Sequence, residues 1–289
     1  MEGCSIVIPV YNEQEKVRST IEQLKDEAGK LGLDHEIIVI NDGSTDDTAK
    51  AIRGSDVKLI THPQRSGYGK AIQSGILSSK HEHVVIIDAD GTYPIESLGK
   101  LWKFAKDYDM VVGARKGKYY KGSIIKNPAR QIYLWLIWYV TGKKVPDANS
   151  GFRIFKKSVI LPFFSHLCLG YSFTTTLTLY LLSRGHFVKF VPIKYYKRSG
   201  RSKVRHIRDS LGTLQIIIQA IMLYNPIKAI LPLFLLFFIF GSSSIFWYMF
   251  RDNNTAFFTA GIFSFGISAL IFVAGLIADL LVNLKHLKE

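Results

Sequence analysis

Two long apolar runs constrain this chain more than any other feature. Residues 229–250 are almost entirely apolar, and after the polar break Arg251-Asp252-Asn253-Asn254-Thr255 a second run covers 256–282. Each exceeds the roughly 20 residues a helix needs to cross a bilayer core. Two such runs back to back are hard to bury in a soluble domain, so the reading is a transmembrane hairpin over 227–282. The chain has 289 residues, 48% of them hydrophobic, and its mean hydropathy of +0.14 is concentrated in this hairpin. Arg198, Arg201, Lys203, Arg205, Arg208 and Lys228 precede the hairpin, Lys285 and Lys288 follow it, and the connecting loop has only Arg251. The excess of cations outside the loop predicts cytoplasmic termini. The amino terminus opens directly into Ser5-Ile6-Val7-Ile8-Pro9, with no signal-peptide pattern. Cys4 and Cys168 make neither a disulfide framework nor a zinc spacing, which fits a reducing cytosol.

The first 115 residues alternate strand and helix signals. Apolar runs occur at Ser5–Val10, Glu36–Ile40, Val57–Ile60, Val84–Ile87 and Met110–Val112. Between them lie helically spaced sets: Val17, Ile21, Leu24, Ala28; Ala49, Ile52; Ala71, Ile72, Ile76; Leu98, Leu101, Trp102, Ala105. That alternation predicts βαβ units and a mainly parallel sheet with helices on both faces. Further on, Lys116–Ser123 reads as a basic loop. Pro128–Thr141 is amphipathic and aromatic, suited either to a membrane interface or to packing in the domain. Phe173–Leu182 reads as a helix, Phe187–Ile193 as a strand, and Ile207–Tyr224 as an amphipathic connector. The predicted organisation is a cytosolic domain over 1–204, a connector over 205–226, the hairpin over 227–282 and a short tail over 283–289.

The chemistry gathers at three predicted strand ends. The first ends in Pro9-Val10-Tyr11-Asn12-Glu13, the second in Asn41-Asp42-Gly43-Ser44-Thr45-Asp46, and the fourth in Asp88-Ala89-Asp90. In a parallel sheet these tips share the carboxyl edge, where open α/β sheets hold ligands. Strand residues i and i+2 point to one face, so Asp88 and Asp90 are expected to meet the same ligand. Hard divalent cations take oxygen donors and share them with substrate phosphates, so this pair suits a metal-bound nucleotide diphosphate. Tyr11 is placed to stack on a base, and Glu13 and Asp42 to accept hydrogen bonds from base or ribose. The net charge of +14 calls for an anionic partner. With a hairpin attached, lipid headgroups and phosphorylated substrates fit better than nucleic acid.

The series PVYNE, NDGSTD, GYGKA, DADGTYP, GAR and DANSGFR resembles the family 2 inverting glycosyltransferases of GT-A fold. Within them it is similar to the polyprenyl-phosphate hexose synthases, such as dolichol-phosphate mannose or glucose synthase. The resemblance covers residues 5 to about 205 and implies a GT-A-like, Rossmann-type sheet. It implies that Pro9, Tyr11, Glu13, Ile40, Asp42, Asp88, Ala89 and Asp90 hold the nucleotide sugar. It assigns Asp88, Asp90 and Thr92 to Mg2+ or Mn2+, although relatives often carry Gln or Asn where Thr92 stands. It places Asp90, Arg115, Arg130, Arg198 and Lys203 in the catalytic machinery, the basic residues beside the acceptor phosphate and donor diphosphate. Processive relatives carry a QxxRW motif, but here Leu134 fills the arginine position of Gln131-Ile132-Tyr133-Leu134-Trp135.

The predicted helix from Phe173 offers Thr174-Thr175-Thr176 and no acidic base. A hydroxyl nucleophile needs such a base. A phosphate monoester, with a second pKa of about 6, is already largely dianionic at neutral pH. The expected reaction is therefore inverting transfer of a hexose to polyprenyl (dolichyl) phosphate, from GDP-mannose, UDP-glucose or UDP-GlcNAc. The partners are nucleotide sugar, lipid phosphate and bilayer, and a homo-oligomer is an open alternative to a monomer. Two rival readings stand: a membrane transferase using a sugar hydroxyl or diacylglycerol, and a non-catalytic nucleotide-sugar-binding module.

Overall fold

The computed structural model describes residues 3–117, 127–170, 172–197, 218, 222, 225–251 and 254–286. The chain divides into two compact units, Met1–Ile216 and Ile217–Glu289.

The first unit is built on one seven-stranded sheet: β1 (Gly3–Val10), β2 (Asp34–Asn41), β3 (Lys58–Thr61), β4 (His83–Ile86), β5 (Met110–Lys116), β6 (Arg153–Lys156) and β7 (Val188–Lys194). Their order is β3-β2-β1-β4-β6-β5-β7. All run parallel except β6, which lies antiparallel between β4 and β5. Period-two alternation splits the central strands between two cores. Ile6, Ile8, Ile37, Val39 and Val85 face one side, with Val17, Ile21, Leu24 and Ala28 of α1 (Val17–Lys30) and with Leu98 and Leu101 of α4 (Leu98–Trp102). Val7, Ile38, Ile40, Val84 and Ile86 face the other, with α3 (Tyr68–Ser78) and the later helix that starts at Phe173. Between β2 and β3 lies the short α2 (Thr48–Ile52). Helices therefore cover both faces, as the alternating pattern predicts.

The differences from the sequence reading are local. β6 was not anticipated. Its four residues begin with an arginine and give no clear alternation, so nothing in the window marks a strand. Its reversal matters, because Arg153 pairs with Ile86 of β4 and Val112 of β5. The segment entering β6 thus lies at the carboxyl edge of its parallel neighbours. β4 stops at Ile86, so Asp88 and Asp90 lie in irregular backbone beyond it, and the alternation argument for their shared face does not apply. The helix expected through Ala105 ends at Trp102, and β5 continues past Val112 to Lys116.

Among the described residues, the remaining α-helices of this unit are α5 (Asn127–Thr141), α6 (Lys157–Ile160) and α7 (Phe173–Ser183). The aromatic stretch packs in the domain along one face of α5 only. Ile137 and Val140 are buried, whereas Trp135 and Trp138 are 54% and 44% exposed. From Phe173 to Leu182, α7 is buried on every side. Most of the expected connector lies outside the described residues.

The second unit contains α8 (Pro226–Phe250) and α9 (Thr255–His286). Asn225 accepts a hydrogen bond from Lys228 N (3.3 Å) and Pro226 occupies the first turn, where its missing N–H costs nothing. The helices approach closely at Gly241 and Gly261; a Cβ on Gly241 would lie 3.1 Å from Gly261 O. Phe234 meets Phe272 and Phe238 meets Phe265 further along the seam. Over Pro226–Phe250 and Thr255–Val282 both helices are long and apolar enough to cross a membrane, and only 11% of each span is buried.

Candidate active site

The first two strand tips are tied together by side chain to backbone bonds. Asn12 stands at a positive φ of 53°, a conformation Asn tolerates better than most residues. Its N–H donates to Ser44 Oγ (3.0 Å), and its Oδ1 accepts from Thr45 N (2.8 Å). Glu13 N donates to Thr48 Oγ1 (2.9 Å), and Gln14 Oε1 accepts from Asp47 N (2.9 Å). Asp46 accepts from Thr48 through both N (3.0 Å) and Oγ1 (2.5 Å). Partial burial works to raise its pKa, but the hydrogen bonds from Thr48 and the Gln14 backbone outweigh it and hold the carboxyl below its usual range.

Asp42 is 4% exposed, and its carboxylate organises the loop after β3. Oδ1 accepts from Ser66 N (2.8 Å) and Oδ2 from Gly67 N (2.9 Å). His62 Nδ1 lies 2.8 Å from Oδ1, and its Nε2 lies 3.0 Å from Ser74 Oγ. With the proton on Nδ1, the imidazole donates to Asp42 and accepts from Ser74. Gly43 makes the approach possible: at φ 68°, a Cβ there would fall 2.5 Å from Arg65 N. Arg65 Cζ then sits 4.4 Å from the centroid of the Tyr11 ring.

At the third tip, Asp88 Oδ1 accepts from Tyr68 Oη (2.8 Å). Burial first, and the neighbouring Asp88 carboxylate second, push the Tyr68 phenol well above its usual pKa, so it remains a donor. Asp90 Oδ1 accepts from Thr92 N (3.1 Å) and Thr92 Oγ1 (2.6 Å). Thr92 is fully buried, with its hydroxyl directed at Asp90. Among the described residues, no group of three or more His, Cys, Asp or Glu side chains could hold a metal ion. The donor set nevertheless fits a hard cation that arrives with a diphosphate, since Mg2+ is commonly held by one or two carboxylates plus substrate phosphates.

The reversed strand brings a fourth segment to this edge. Arg115 Nε and Nη2 donate to Asp147 Oδ2 (2.7 Å) and Oδ1 (2.9 Å), and Arg115 N also donates to Oδ2 (3.1 Å). Burial alone would lower the Arg115 pKa, but Tyr93 and Asp147 beside it raise the pKa well above the ordinary value. Gly151 N donates to Tyr93 Oη (2.7 Å). A Cβ on Gly151 would collide with the Asp88 carboxylate, so any larger residue there would have to displace that side chain.

Arg153 is fully buried and faces carbonyls rather than a carboxylate. Nε donates to Ser150 O (3.0 Å), Nη2 to Ser150 O (2.6 Å) and Ala148 O (3.2 Å), and Nη1 to Thr174 O (3.1 Å) and Thr178 Oγ1 (3.1 Å). Burial lowers its pKa to about 10, which still leaves it charged at neutral pH. Tyr133 of α5 and Thr175 of α7 meet on Asn149 Oδ1. The segment 147–151 is thus tied to β5, α5 and α7.

The structure therefore brings Tyr11, Glu13, Asp42, Asp88 and Asp90 to the tips of the parallel strands. Pro9 and Ile40 are register partners just inside that edge, with the Ile40 side chain buried in the core, as is Ala89. Arg130 belongs to α5, but its side chain is outside the described residues, as are Arg198 and Lys203 entirely. Sequence reasoning quoted GYGKA and DANSGFR without giving roles to His62, Arg65, Tyr68, Tyr93, Asp147 or Arg153. Their partners lie 20 to 58 positions away for Tyr68–Asp88 and Tyr93–Gly151, beyond the reach of a local pattern.

Undecaprenyl-phosphate 4-deoxy-4-formamido-L-arabinose transferase from Klebsiella pneumoniae is 30% identical over 163 residues, 54% of this chain and 49% of that protein. Human dolichyl-phosphate beta-glucosyltransferase is 28% identical over 186 residues, 56% of this chain and 57% of that protein. The chain thus spans about half the length of the curated relatives it matches. Glucosyl-3-phosphoglycerate synthase from Mycobacterium tuberculosis, solved with Mn2+, UDP-glucose and phosphoglyceric acid, superposes with a TM-score of 0.63 at 19% identity, covering 76% of this chain and 79% of that one. That likeness shows a shared GT-A-like fold. The model for glycosyl transferase family 2 matches residues 5–163, more than half of the sequence, and the chain belongs to that family.

Proposed function

We propose that the protein transfers one hexose from a nucleotide sugar to polyprenyl (dolichyl) phosphate at a membrane surface, with inversion at the anomeric carbon. The observation that carries this reading is the presence in one chain of two elements. One is an edge with two carboxylates suited to a diphosphate, and the other is a pair of helices long enough to cross a bilayer. Relatives named for undecaprenyl-phosphate and dolichyl-phosphate transfer support the acceptor class. The exposed Trp135 and Trp138 of α5 suit a headgroup layer. Lys228 before the hairpin and Lys285 after it, against Arg251 alone between, support cytosolic placement of both ends.

In this reading Tyr11 stacks on the base, Glu13 and Asp42 line the nucleoside, and Asp88 and Asp90 hold Mg2+ or Mn2+ together with the diphosphate. When bound, the cation neutralises charge that develops on the leaving diphosphate. Tyr68 and Thr92 fix the two carboxylates. Asp147 holds Arg115 in a bidentate pair, so that its guanidinium is a positioned cation. Arg130, Arg198 and Lys203 bring the acceptor phosphate in. An acceptor phosphate oxygen attacks the anomeric carbon, the bond to the donor diphosphate breaks, and the nucleoside diphosphate leaves with the electron pair. No proton has to move, because the attacking phosphate is already dianionic. The threonines of α7, turned to backbone carbonyls and Asn149, suit a reaction that needs no base there.

The test is to incubate the full chain in detergent with labelled nucleotide sugars, polyprenyl phosphate and Mg2+ or Mn2+. An acid-labile glycolipid that disappears on chelation is expected. Nucleotide-sugar binding without any transfer would favour the non-catalytic module instead.

A further inference from the structure

The helix α5 is held to its domain in two different ways. Tyr133, Ile137 and Val140, spaced i, i+4 and i+7, share its inner face, and Ile137 and Val140 are buried there. Gln131, Trp135 and Trp138, at the same spacing, share the opposite, exposed face. Apolar burial is non-directional, so Ile137 and Val140 keep the helix against the domain without fixing its rotation or its register. The directional contact is at Tyr133. Its Oη donates to Asn149 Oδ1 (2.6 Å) and lies 2.9 Å from Thr175 Oγ1, which donates to the same oxygen. One carbonyl thus collects hydroxyls from α5 and α7. Asn149 is itself fixed, since its N–H donates to Asp147 Oδ1 (3.1 Å) and the Asp147 carboxylate holds Arg115. A chain of polar contacts therefore runs from Tyr133 through Asn149 and Asp147 to Arg115.

We propose that Tyr133 is a positioning residue for the acceptor: its hydroxyl, through Asn149, sets the register of α5 against the 147–151 segment and so aligns the lipid phosphate with Arg115 and the anomeric carbon. The proposal rests on the polyprenyl-phosphate reading, in which Arg130, one turn before Tyr133 on α5, meets the acceptor. In that reading no proton moves, so orientation and fixed charge carry the catalysis. A displacement of about 1 Å in such a site can cost about a hundredfold in rate, and a helix held by apolar contacts alone is free to slide that far. Tyr11, Glu13 and Asp42 belong to the tips of β1 and β2 rather than to α5, so the contact at Tyr133 serves the acceptor and not the nucleotide.

The experiment is steady-state transfer by the full chain in detergent, with polyprenyl phosphate and nucleotide sugar varied in turn. It compares wild type, Tyr133→Phe, Asn149→Ala and the double variant, each also titrated with UDP or GDP and melted. Tyr133→Phe removes one oxygen and keeps the ring. Its KM for polyprenyl phosphate should rise roughly fivefold, the worth of one hydrogen bond, while the donor KM and nucleotide binding stay as in wild type. Asn149→Ala should do the same, and the double variant should lose little more than either single change, because both cut one contact. An unchanged acceptor KM, including a fall in kcat alone with a lower melting temperature, would overturn the proposal, because the hydroxyl would then only support the fold. Equal rises in both KM values would overturn it by placing the effect on the whole site. Additive losses would overturn it by showing that Asn149 acts apart from α5. A wild type that binds UDP or GDP but transfers no sugar to polyprenyl phosphate would instead overturn the acceptor reading on which the proposal rests.

Discussion

Replacing Arg153 tests how the site is held together. The guanidinium makes five N–H···O bonds inside the protein. In Arg153→Met the methionine fills much of the same volume and removes a buried charge. Burial pulls the Arg153 pKa from 12.5 to about 10, which corresponds to roughly 3 kcal/mol against the charged form. Against that relief stand the orphaned acceptors. Thr174 O keeps Thr178 Oγ1 at 2.8 Å, and Ala148 O keeps it at 3.4 Å, but Ser150 O loses both of its bonds from Arg153. A buried unsatisfied carbonyl costs about 1–3 kcal/mol, and each lost charge-assisted bond about 1.5–3 kcal/mol. The lost bonds outweigh the relief, and a net loss of at least about 2 kcal/mol is expected. Arg153→Lys keeps the charge but reaches fewer carbonyls, so it should be at least as destabilising as Arg153→Met. Denaturant unfolding of the full chain in detergent measures the order, and hydrogen exchange over 147–156 should show the loss concentrated there. Wild-type stability of Arg153→Lys would refute the reasoning, because charge rather than the fork of donors would then be what matters.

Three further outcomes are expected. Asp90→Asn should keep the fold, since Thr92 still has an oxygen to donate to, but should lose several kcal/mol of transition-state stabilisation; glycolipid formation and a melting curve measure the two separately. Gly43→Ala places a Cβ 2.5 Å from Arg65 N at a positive φ, so it should cost about 1–3 kcal/mol and weaken nucleotide binding by displacing the loop, readable by titration with UDP or GDP. Asp46 has a folded-state pKa below its ordinary 3.8; its contribution is present above that value and is lost as pH falls through the lower, folded one. Backbone exchange at 12–14 and 44–48 should therefore rise in acid below about pH 4, and Asp46→Asn should remove that dependence.

What was legible in the sequence was what short windows encode. Val17, Ile21, Leu24 and Ala28 mark one buried helix face, the run from Ser5 to Val10 marks a central strand, and two uninterrupted apolar stretches mark the long helices. The carboxylates at the strand ends follow from the parallel alternation. What was hidden depends on pairing across the chain. β6 is four residues long, starts with a buried arginine and runs against its neighbours; no periodicity shows that. Arg115 reads as a cation for phosphate, and its pairing with Asp147, 32 positions on, leaves no mark in the sequence. Asp42 reads as a contact to base or ribose, and its hold on the 62–67 loop is equally hidden there. Thr92 reads as a doubtful metal ligand, and its bond to Asp90 is seen only in the structure. In each case the motif was visible in the sequence, while the partner was supplied by the topology.

The most direct test of the central claim is the choice and stereochemistry of the acceptor. The full chain in detergent, given the donor it binds and either polyprenyl phosphate or the matching polyprenol, should glycosylate the phosphate alone. NMR of the product should show an anomeric configuration opposite to that of the donor. Transfer to the polyprenol hydroxyl, or a product that retains the donor configuration, would contradict the account.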